Sequence, residues 1–382
     1  MVISYLFFGL LAITAIIYWF TSNQKIRNYI LSASSLFFIG FYDSNALIVV
    51  LSLTVFTYFF GYLIKYKDKK GLYLFAGISS IILLLVIFKY LGFLEKTLND
   101  IIAYFSFNSG IRTIMIIPPL GISYITFKHI SYLTDIKWKI TENGSFGEFL
   151  CYSSLFTIYT AGPIERFEKF RPQIQNRIEY SGAFIGQSFG RITIGFFKKL
   201  VIADWIAHFA NPVLNNQAEY PPLIVLAALL GFSIQIYMDF SGYSDIAIGA
   251  SMLFGLKIME NFNYPYFVSN ISQFWRNWHI SLSDWLRDYL FFPLSKVSSK
   301  KIWTVFFVPI IVMGICGFWH GAEWHFAMWG VWHGAGLSFY QVWLMYKRKN
   351  KKLSALAQKE WFNFASIVLT FLYVTLGWWF FI

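Results

Sequence analysis

Long apolar runs broken by short charged clusters dominate this chain, and their spacing predicts membrane-crossing helices. Residues 1–24, 44–64 and 361–382 contain no Asp, Glu, Lys or Arg. At 1.5 Å per helical residue each can cross roughly 30 Å of hydrocarbon. The pattern predicts a first helix over about 2–22, ending at Lys25 and Arg27. A second, shorter run (about 28–42) ends at Asp43, and a third (about 44–64) at Lys65, Lys67, Lys69 and Lys70. A fourth (about 71–93) ends at Glu95, Asn99 and Asp100, and a fifth (about 113–134) near Lys137 and Lys139. Basic clusters follow alternate spans, so placing them in the cytoplasm puts the N-terminus outside. The first run lacks the basic start and small-residue cleavage site of a signal peptide and reads as a retained helix.

The middle of the chain is less regular. Residues 146–163 are apolar but run into Thr160-Ala161-Gly162-Pro163, which predicts a broken or re-entrant segment. Such a segment needs protein or water to cover its freed backbone groups. Residues 164–177 are charged and are expected in the cytoplasm. Residues 190–210 mix Arg191, Lys198, Lys199, Asp204 and His208 with large apolar residues and predict an interfacial amphipathic helix. A span follows at about 222–240. A second amphipathic helix is expected over 270–292, capped by Ser269-Asn270 and stopped soon after by Pro293. Apolar runs at about 302–319 and 324–346 bracket His320, and the basic loop 347–352 is again expected in the cytoplasm. The fold class is therefore an all-α, polytopic membrane bundle of roughly nine to eleven spanning or half-spanning segments plus interfacial helices. Without a clear internal repeat, residues 1–382 read as one domain.

Composition supports this picture. Charged residues make up 13% of the chain and hydrophobic ones 57%, against about 25% charged in a soluble domain. The net charge of +12 lies in short clusters between apolar runs, which is positive-inside topology and excludes nucleic acid as a partner. Cys151 and Cys316 match no metal spacing and read as buried thiols.

Chemistry enters through histidine. Four of the six histidines fall between His279 and His333, and an ionisable ring in hydrocarbon needs a partner or a wet cavity. His279 sits on the expected 270–292 helix after Arg276 and Asn277, with Asp284 and Asp288 following. It either faces a polar groove or anchors the interface like its tryptophan neighbours. His320 lies between Trp319, which can shield it from lipid, and Gly321, which permits close backbone approach. A neutral imidazole there suits general base work; the alternative is a ring bonded to a backbone carbonyl. His333 is expected to pack near His320, while His325 and Glu323 mark the membrane boundary. His325 and His333 lack a third metal ligand, and no metal is expected. His129 and His208 read as structural. Asp239 and Asp245 need partners, which Arg276 or Arg287 could supply. They form either a polar site wall or a salt-bridged helix end.

Several longer strings carry a resemblance. They are Tyr237-Met238-Asp239-Phe240-Ser241-Gly242-Tyr243-Ser244-Asp245, Glu260-Asn261-Phe262-Asn263-Tyr264-Pro265-Tyr266, Phe274-Trp275-Arg276-Asn277-Trp278-His279-Ile280-Ser281-Leu282-Ser283, Trp285-Leu286-Arg287-Asp288-Tyr289 and Gly317-Phe318-Trp319-His320-Gly321. With Ala161-Gly162-Pro163-Ile164 and Phe197-Lys198-Lys199 upstream, the chain resembles the membrane-bound O-acyltransferase family, most densely over 118–334. Within it, the chain is similar to the bacterial branch that holds the membrane subunit of alginate O-acetylation; the D-alanyl transfer protein of teichoic acid modification is a related short member. Alginate-type members continue with further helices, whereas this sequence stops at Ile382, so it is expected to be a short member or an incomplete chain.

The resemblance implies a bundle with a central funnel or tunnel in the bacterial cytoplasmic membrane, surrounded by lipid. It implies that His320 matches the family's essential histidine and His279 its second polar position. It also implies transfer of an acyl group, acetyl first among candidates, from a cytoplasmic thioester toward hydroxyls of a surface polysaccharide through an extracytoplasmic acetyltransferase partner. Acyl-coenzyme A or an acyl carrier would be co-substrate, with no bound cofactor. On this reading His320 is the base. His279 and Asn277 orient the acyl or pantetheine arm or stabilise the oxyanion, and Arg276, Arg287, Asp239, Asp245, Asp288, Trp319 and His333 complete the site. Arg166, Lys198 and Lys199 either meet an anionic donor such as coenzyme A or are plain positive-inside loop charges. A flippase for a lipid-linked sugar is the competing class, since intramembrane charges and broken helices suit it too, and a non-catalytic scaffold of an export complex is a weaker third. A flippase would move its substrate without a thioester.

Overall fold

The computed structural model describes residues 4–105, 116–176, 179 and 181–382. All regular structure among them is helical. In order the helices are α1 (Tyr5–Phe20), α2 (Gln24–Tyr42), α3 (Ser44–Tyr66), α4 (Lys70–Tyr104), α5 (Ile122–Trp138), α6 (Phe146–Ser154), α7 (Phe167–Gln175), α8 (182–215) and α9 (Pro222–Met252). Then come α10 (Ile271–Asn277), α11 (Ile280–Leu286, continuing to 295), α12 (Trp303–His320), α13 (Trp324–Lys349), α14 (Lys351–Leu356) and α15 (Glu360–Trp378). They form two compact units, Met1–Arg191 with Ala247–Met259, and Ile192–Ile246 with Glu260–Ile382.

Local chemistry starts the helices where the sequence places polar residues between apolar runs. Asn23 accepts from the Lys25 N–H at 2.9 Å, Asp43 from Ala46 at 2.9 Å and Asn270 from Gln273 at 2.9 Å. Each satisfies a backbone donor that the first helical turn leaves over. Ser145 and Glu148 close a reciprocal cap at the start of α6.

The side chains are distributed inside out relative to a soluble protein. Ile13, Phe59 and Leu83 are more than half exposed, while Thr14, Thr54, Thr57, His129 and Ser153 are buried. Apolar atoms turned outward and polar atoms turned inward suit a hydrocarbon solvent. Helices α3, α4, α9, α12 and α15 are long and apolar enough to cross it. The sequence pattern counts more spans because it includes α1, which has 16 residues, and the more polar α2, α5 and α13.

In the first unit, His129 is structural, as its isolation in the sequence suggests. Its Nδ1 lies 2.9 Å from Thr57 Oγ1 and its Nε2 2.7 Å from Ser153 Oγ. The apolar stretch 146–163 does break, after Ser154. The irregular backbone beyond is buried, and its polar groups find partners. Phe156 N–H donates to Ser35 Oγ at 3.0 Å, and Tyr159 O–H donates to the Leu120 carbonyl at 2.6 Å. The buried Glu165 carboxylate accepts the Met259 N–H at 3.0 Å.

Three spans differ from the expected bounds. Pro118 and Pro119 deny a helix to the residues before Gly121, so α5 starts at Ile122; residues 113–115 lie outside the described residues. Helix α4 runs past Glu95 and Asp100 to Tyr104. Helix α9 continues to Met252, which puts Asp239 and Asp245 inside a helix rather than at its end.

Candidate active site

The predicted 270–292 helix is in fact broken at its histidine. Helix α10 ends at Asn277, Trp278 is extended, and His279 adopts φ +43°, ψ 54° before α11 begins at Ile280. A left-handed backbone costs a non-glycine residue about 1–2 kcal/mol, so something else must hold the turn. Asn261 does. Its carbonyl accepts the Ile280 N–H at 2.9 Å, and its side-chain Oδ1 accepts from Ser281 N at 3.2 Å and Ser281 Oγ at 2.8 Å. Two residues on, Asn263 N–H donates to the Asn277 carbonyl at 3.0 Å. Sequence reasoning assigned Asn261 no role. The only signal was an amide side chain within the Glu260–Tyr266 string, and nothing in one dimension shows that it meets residue 279.

The same amide orients the histidine ring. His279 is buried, with Nδ1 3.2 Å from Asn261 Oδ1. Its Nε2 is buried with no hydrogen-bond partner among the described residues. An unsatisfied buried polar atom costs about 1–3 kcal/mol and is uncommon in native interiors. The Phe240 ring meets the imidazole edge to face at 4.7 Å, and Trp319 lies 6.2 Å away. His279 lies between helices, outside the membrane-spanning segments. Burial first, and then the nearby His320, hold its pKa well below the usual histidine range.

His320 ends α12. Its ring lies 4.8 Å from Trp319, 5.0 Å from Trp329 and 5.3 Å from Phe381. Trp329 also touches His333 at 4.8 Å and Trp275 at 5.7 Å, so one indole joins both histidines. His333 is wholly buried, and neither ring nitrogen has a hydrogen-bond partner among the described residues. The indole nitrogens of Trp275 and Trp329 are in the same state.

A cavity of about 430 Å³ opens beside this cluster, edged by Arg276, Asp284, Arg287, Tyr340 and Gln341 and walled in part by Trp275. Arg287 is held by Asp284 at 2.6 Å and Asp288 at 2.9 Å. Arg276 is exposed, and no ion pair holds it among the described residues. Asn277 is half-buried at the end of α10. Among the described residues, no group of three His, Cys, Asp or Glu side chains has the geometry to hold a metal.

The expected partners of Asp239 and Asp245 require correction. Asp245 pairs with Lys198 at 2.6 Å and Asp239 with Lys199, rather than with Arg276 or Arg287. The reason is helical phase. Residues 239 and 245 are six apart on α9, and α8 crosses there so closely that a Cβ on Gly195 would sit 2.6 Å from the Gly242 carbonyl. A π-helical stretch at Phe197–Ala203 sets both lysines along that crossing. These acids tie two helices together through the two lysines. Arg166 is buried in the first unit. Between Asp239 and Asp245, Phe240 and Ser244 serve the histidine: Phe240 packs on the ring, and Ser244 Oγ accepts from Asn261 Nδ2 at 3.3 Å.

Glycines bring α12 and α13 into backbone contact. A Cβ on Gly317 would lie 2.1 Å from the Phe326 carbonyl oxygen, and one on Gly330 would lie 2.1 Å from that of Met313. This close approach sets Trp329 against His320.

Comparison with known proteins agrees with the resemblance noted from the motifs. The sequence matches the membrane-bound O-acyltransferase family model over residues 13–377. It is 33% identical over 367 residues to a probable alginate O-acetylase of Pseudomonas aeruginosa, covering 94% of this chain and 68% of that protein. It is 33% identical over 394 residues to a peptidoglycan O-acetyltransferase of Helicobacter pylori, covering 95% and 72%. It is also 33% identical over 271 residues to a teichoic acid D-alanyltransferase of Streptococcus thermophilus, covering 66% and 65%.

Proposed function

This chain belongs to the membrane-bound O-acyltransferase family, and from that premise we propose that it passes an acetyl group from a cytoplasmic thioester toward hydroxyls of a cell-surface polysaccharide. It is an integral membrane O-acyltransferase. Its proposed home is the bacterial cytoplasmic membrane, its proposed donor acetyl-coenzyme A or an acyl carrier, and its proposed partner an extracytoplasmic acetyltransferase that completes delivery to the polymer. The names of the relatives, which act on alginate, peptidoglycan and teichoic acid, support a surface polymer as the destination.

The observation that carries the mechanism is that the aromatic cluster holding His320 shares a side chain with the wall of the cavity. Trp275 is a wall of the cavity edged by Arg276 and Arg287, and it touches Trp329, which touches His320. A free guanidinium at the rim suits a phosphate-bearing thioester, and the apolar walls suit its arm. His320 takes the proton of the acceptor hydroxyl as its oxygen attacks the thioester carbonyl. The carbon–sulfur bond then breaks and the thiolate recovers that proton, so His320 ends neutral. Such general base assistance contributes typically 10²–10⁴-fold.

Of the two roles open to His279, orienting the acyl arm is the one its surroundings support better. With Nδ1 facing Asn261 Oδ1 at 3.2 Å and carrying the ring proton, Nε2 is bare and cannot donate to an oxyanion. It can accept from an amide N–H, and a pantetheine arm carries two such groups. We therefore give His279 the orienting role, with Asn277 beside it. The test measures labelled acetyl leaving acetyl-coenzyme A in vesicles that hold the full chain. His320→Gln should lose transfer while inserting at the wild-type amount, and full activity in that variant would rule out the assignment.

A further inference from the structure

We propose that Asn261 is a positioning residue: it fixes His279 as the Nδ1–H tautomer and thereby keeps a bare Nε2 in the transferase site. The inference rests on the reading of His279 given above, and its core is geometric.

A backbone N–H can only donate. Ser281 N lies 3.2 Å from one end of the Asn261 amide, so that end must be the oxygen. The opposite end, Nδ2, then faces Ser244 Oγ at 3.3 Å, where an acceptor is available. His279 Nδ1 lies 3.2 Å from the same oxygen. Two lone pairs cannot face one another, so Nδ1 carries the proton. In a neutral imidazole Nε2 is then the acceptor. No other hydrogen bond to the His279 ring competes, because Nε2 has no partner among the described residues. The ring neighbours Phe240 and Trp319 fix its plane without choosing its tautomer.

The residue type also fits the task. A carboxylate at 261 would accept the same hydrogen bonds, but its negative charge would favour the imidazolium and fill the lone pair at Nε2. A neutral amide chooses the tautomer and leaves the ring uncharged. Asn261 is 1% exposed, so water cannot substitute for it cheaply. The left-handed turn at His279 hangs on the same side chain through Ser281, which couples backbone geometry to ring chemistry at a single residue.

The test uses the full chain in lipid nanodiscs with ¹⁵N-labelled histidine, the His279 signal being identified by its loss in His279→Gln. Wild type should show the Nδ1–H pattern. Asn261→Asp should keep that pattern but protonate about one pH unit or more higher. The acid limb of kcat/KM for labelled acetyl-coenzyme A should move with it. Asn261→Ala should lose the fixed tautomer and lower kcat/KM on the order of 10²-fold or more. If Asn261→Ala does not fold, Asn261→Asp carries the test alone. An Nε2–H pattern in the wild type, or an Asn261→Asp titration that coincides with wild type, overturns the proposal. If the tautomer pattern is as expected but His279→Gln transfers acetyl at the wild-type rate, the positioning by Asn261 stands and the functional role of His279 falls.

Discussion

Gly330→Ala is expected to damage activity far more than its size suggests. The added methyl would lie 2.1 Å from the Met313 carbonyl oxygen and 3.0 Å from Gly314 Cα. Carbon and oxygen in close interhelical contact normally stand about 3.3–3.6 Å apart. The deficit is therefore roughly 1.2–1.5 Å, and backbone atoms cannot rotate away from it, so α12 and α13 must part. Overpacking of this kind typically costs about 1–3 kcal/mol. The functional loss should be larger, because Trp329 adjoins the substituted position and packs on His320. A displacement of roughly 1 Å at a reacting group can cost about 10²-fold. The assay is labelled acetyl transfer in vesicles, read beside thermal unfolding of the same protein in detergent. Gly314→Ala is the internal control: it sits on the same hairpin, and its Cβ would meet nothing within 4 Å. It should stay within about 0.5 kcal/mol of wild type, because its own Cβ points into open space. Wild-type activity and stability in Gly330→Ala, or equal damage from Gly314→Ala, would refute the reasoning.

Other outcomes follow from the site. Arg276→Glu should raise the KM for acetyl-coenzyme A at least tenfold with a smaller change in kcat; an unchanged KM removes Arg276 from the donor site. Lys198→Met removes the cation 2.6 Å from the buried Asp245 and should destabilise the protein, whereas Lys198→Met with Asp245→Leu should recover most of that loss. Thermal unfolding of the two variants decides, and equal damage in both would contradict the clasp. His279 should remain neutral to a pH well below the usual histidine range, because burial disfavours its charged form. Orientation by its lone pair then survives mild acid and fails only as pH drops through the lowered value. Histidine nitrogen NMR checks this, and protonation near pH 6.5 would contradict it.

Much of this protein could be read from the chain because membrane helices announce themselves in one dimension. Uncharged runs such as 44–64 have to be helices in hydrocarbon. The prolines at 118 and 119 stand in plain view within an apolar run, and hydropathy alone does not show that they delay the helix to Ile122. Asp239 and Asp245 showed the limit of spacing arguments. Six residues apart, they needed cations, and the sequence offered arginines thirty to fifty positions later, while the lysines that hold them lie on the preceding helix. His279 stands out by residue type, but its left-handed backbone leaves no mark in the sequence. A periodicity that reads as one helix over 270–292 hides a break, since the fragments on both sides keep helical patterns of their own. Asn261 was invisible for the opposite reason: an asparagine in an aromatic string looks like a turn until the fold brings residue 281 to it.

The positive φ at His279 has a consequence for mutagenesis. Alanine scanning assumes that truncation to a methyl removes a side chain and nothing more. At this position an alanine would keep the backbone penalty while losing the ring that packs against Phe240, so its phenotype would mix chemistry with a slackened turn. Asparagine and glycine tolerate the left-handed region more readily. His279→Asn and His279→Gly, compared with wild type for the ring and with His279→Ala for the turn, would separate what the imidazole does from what the bend requires.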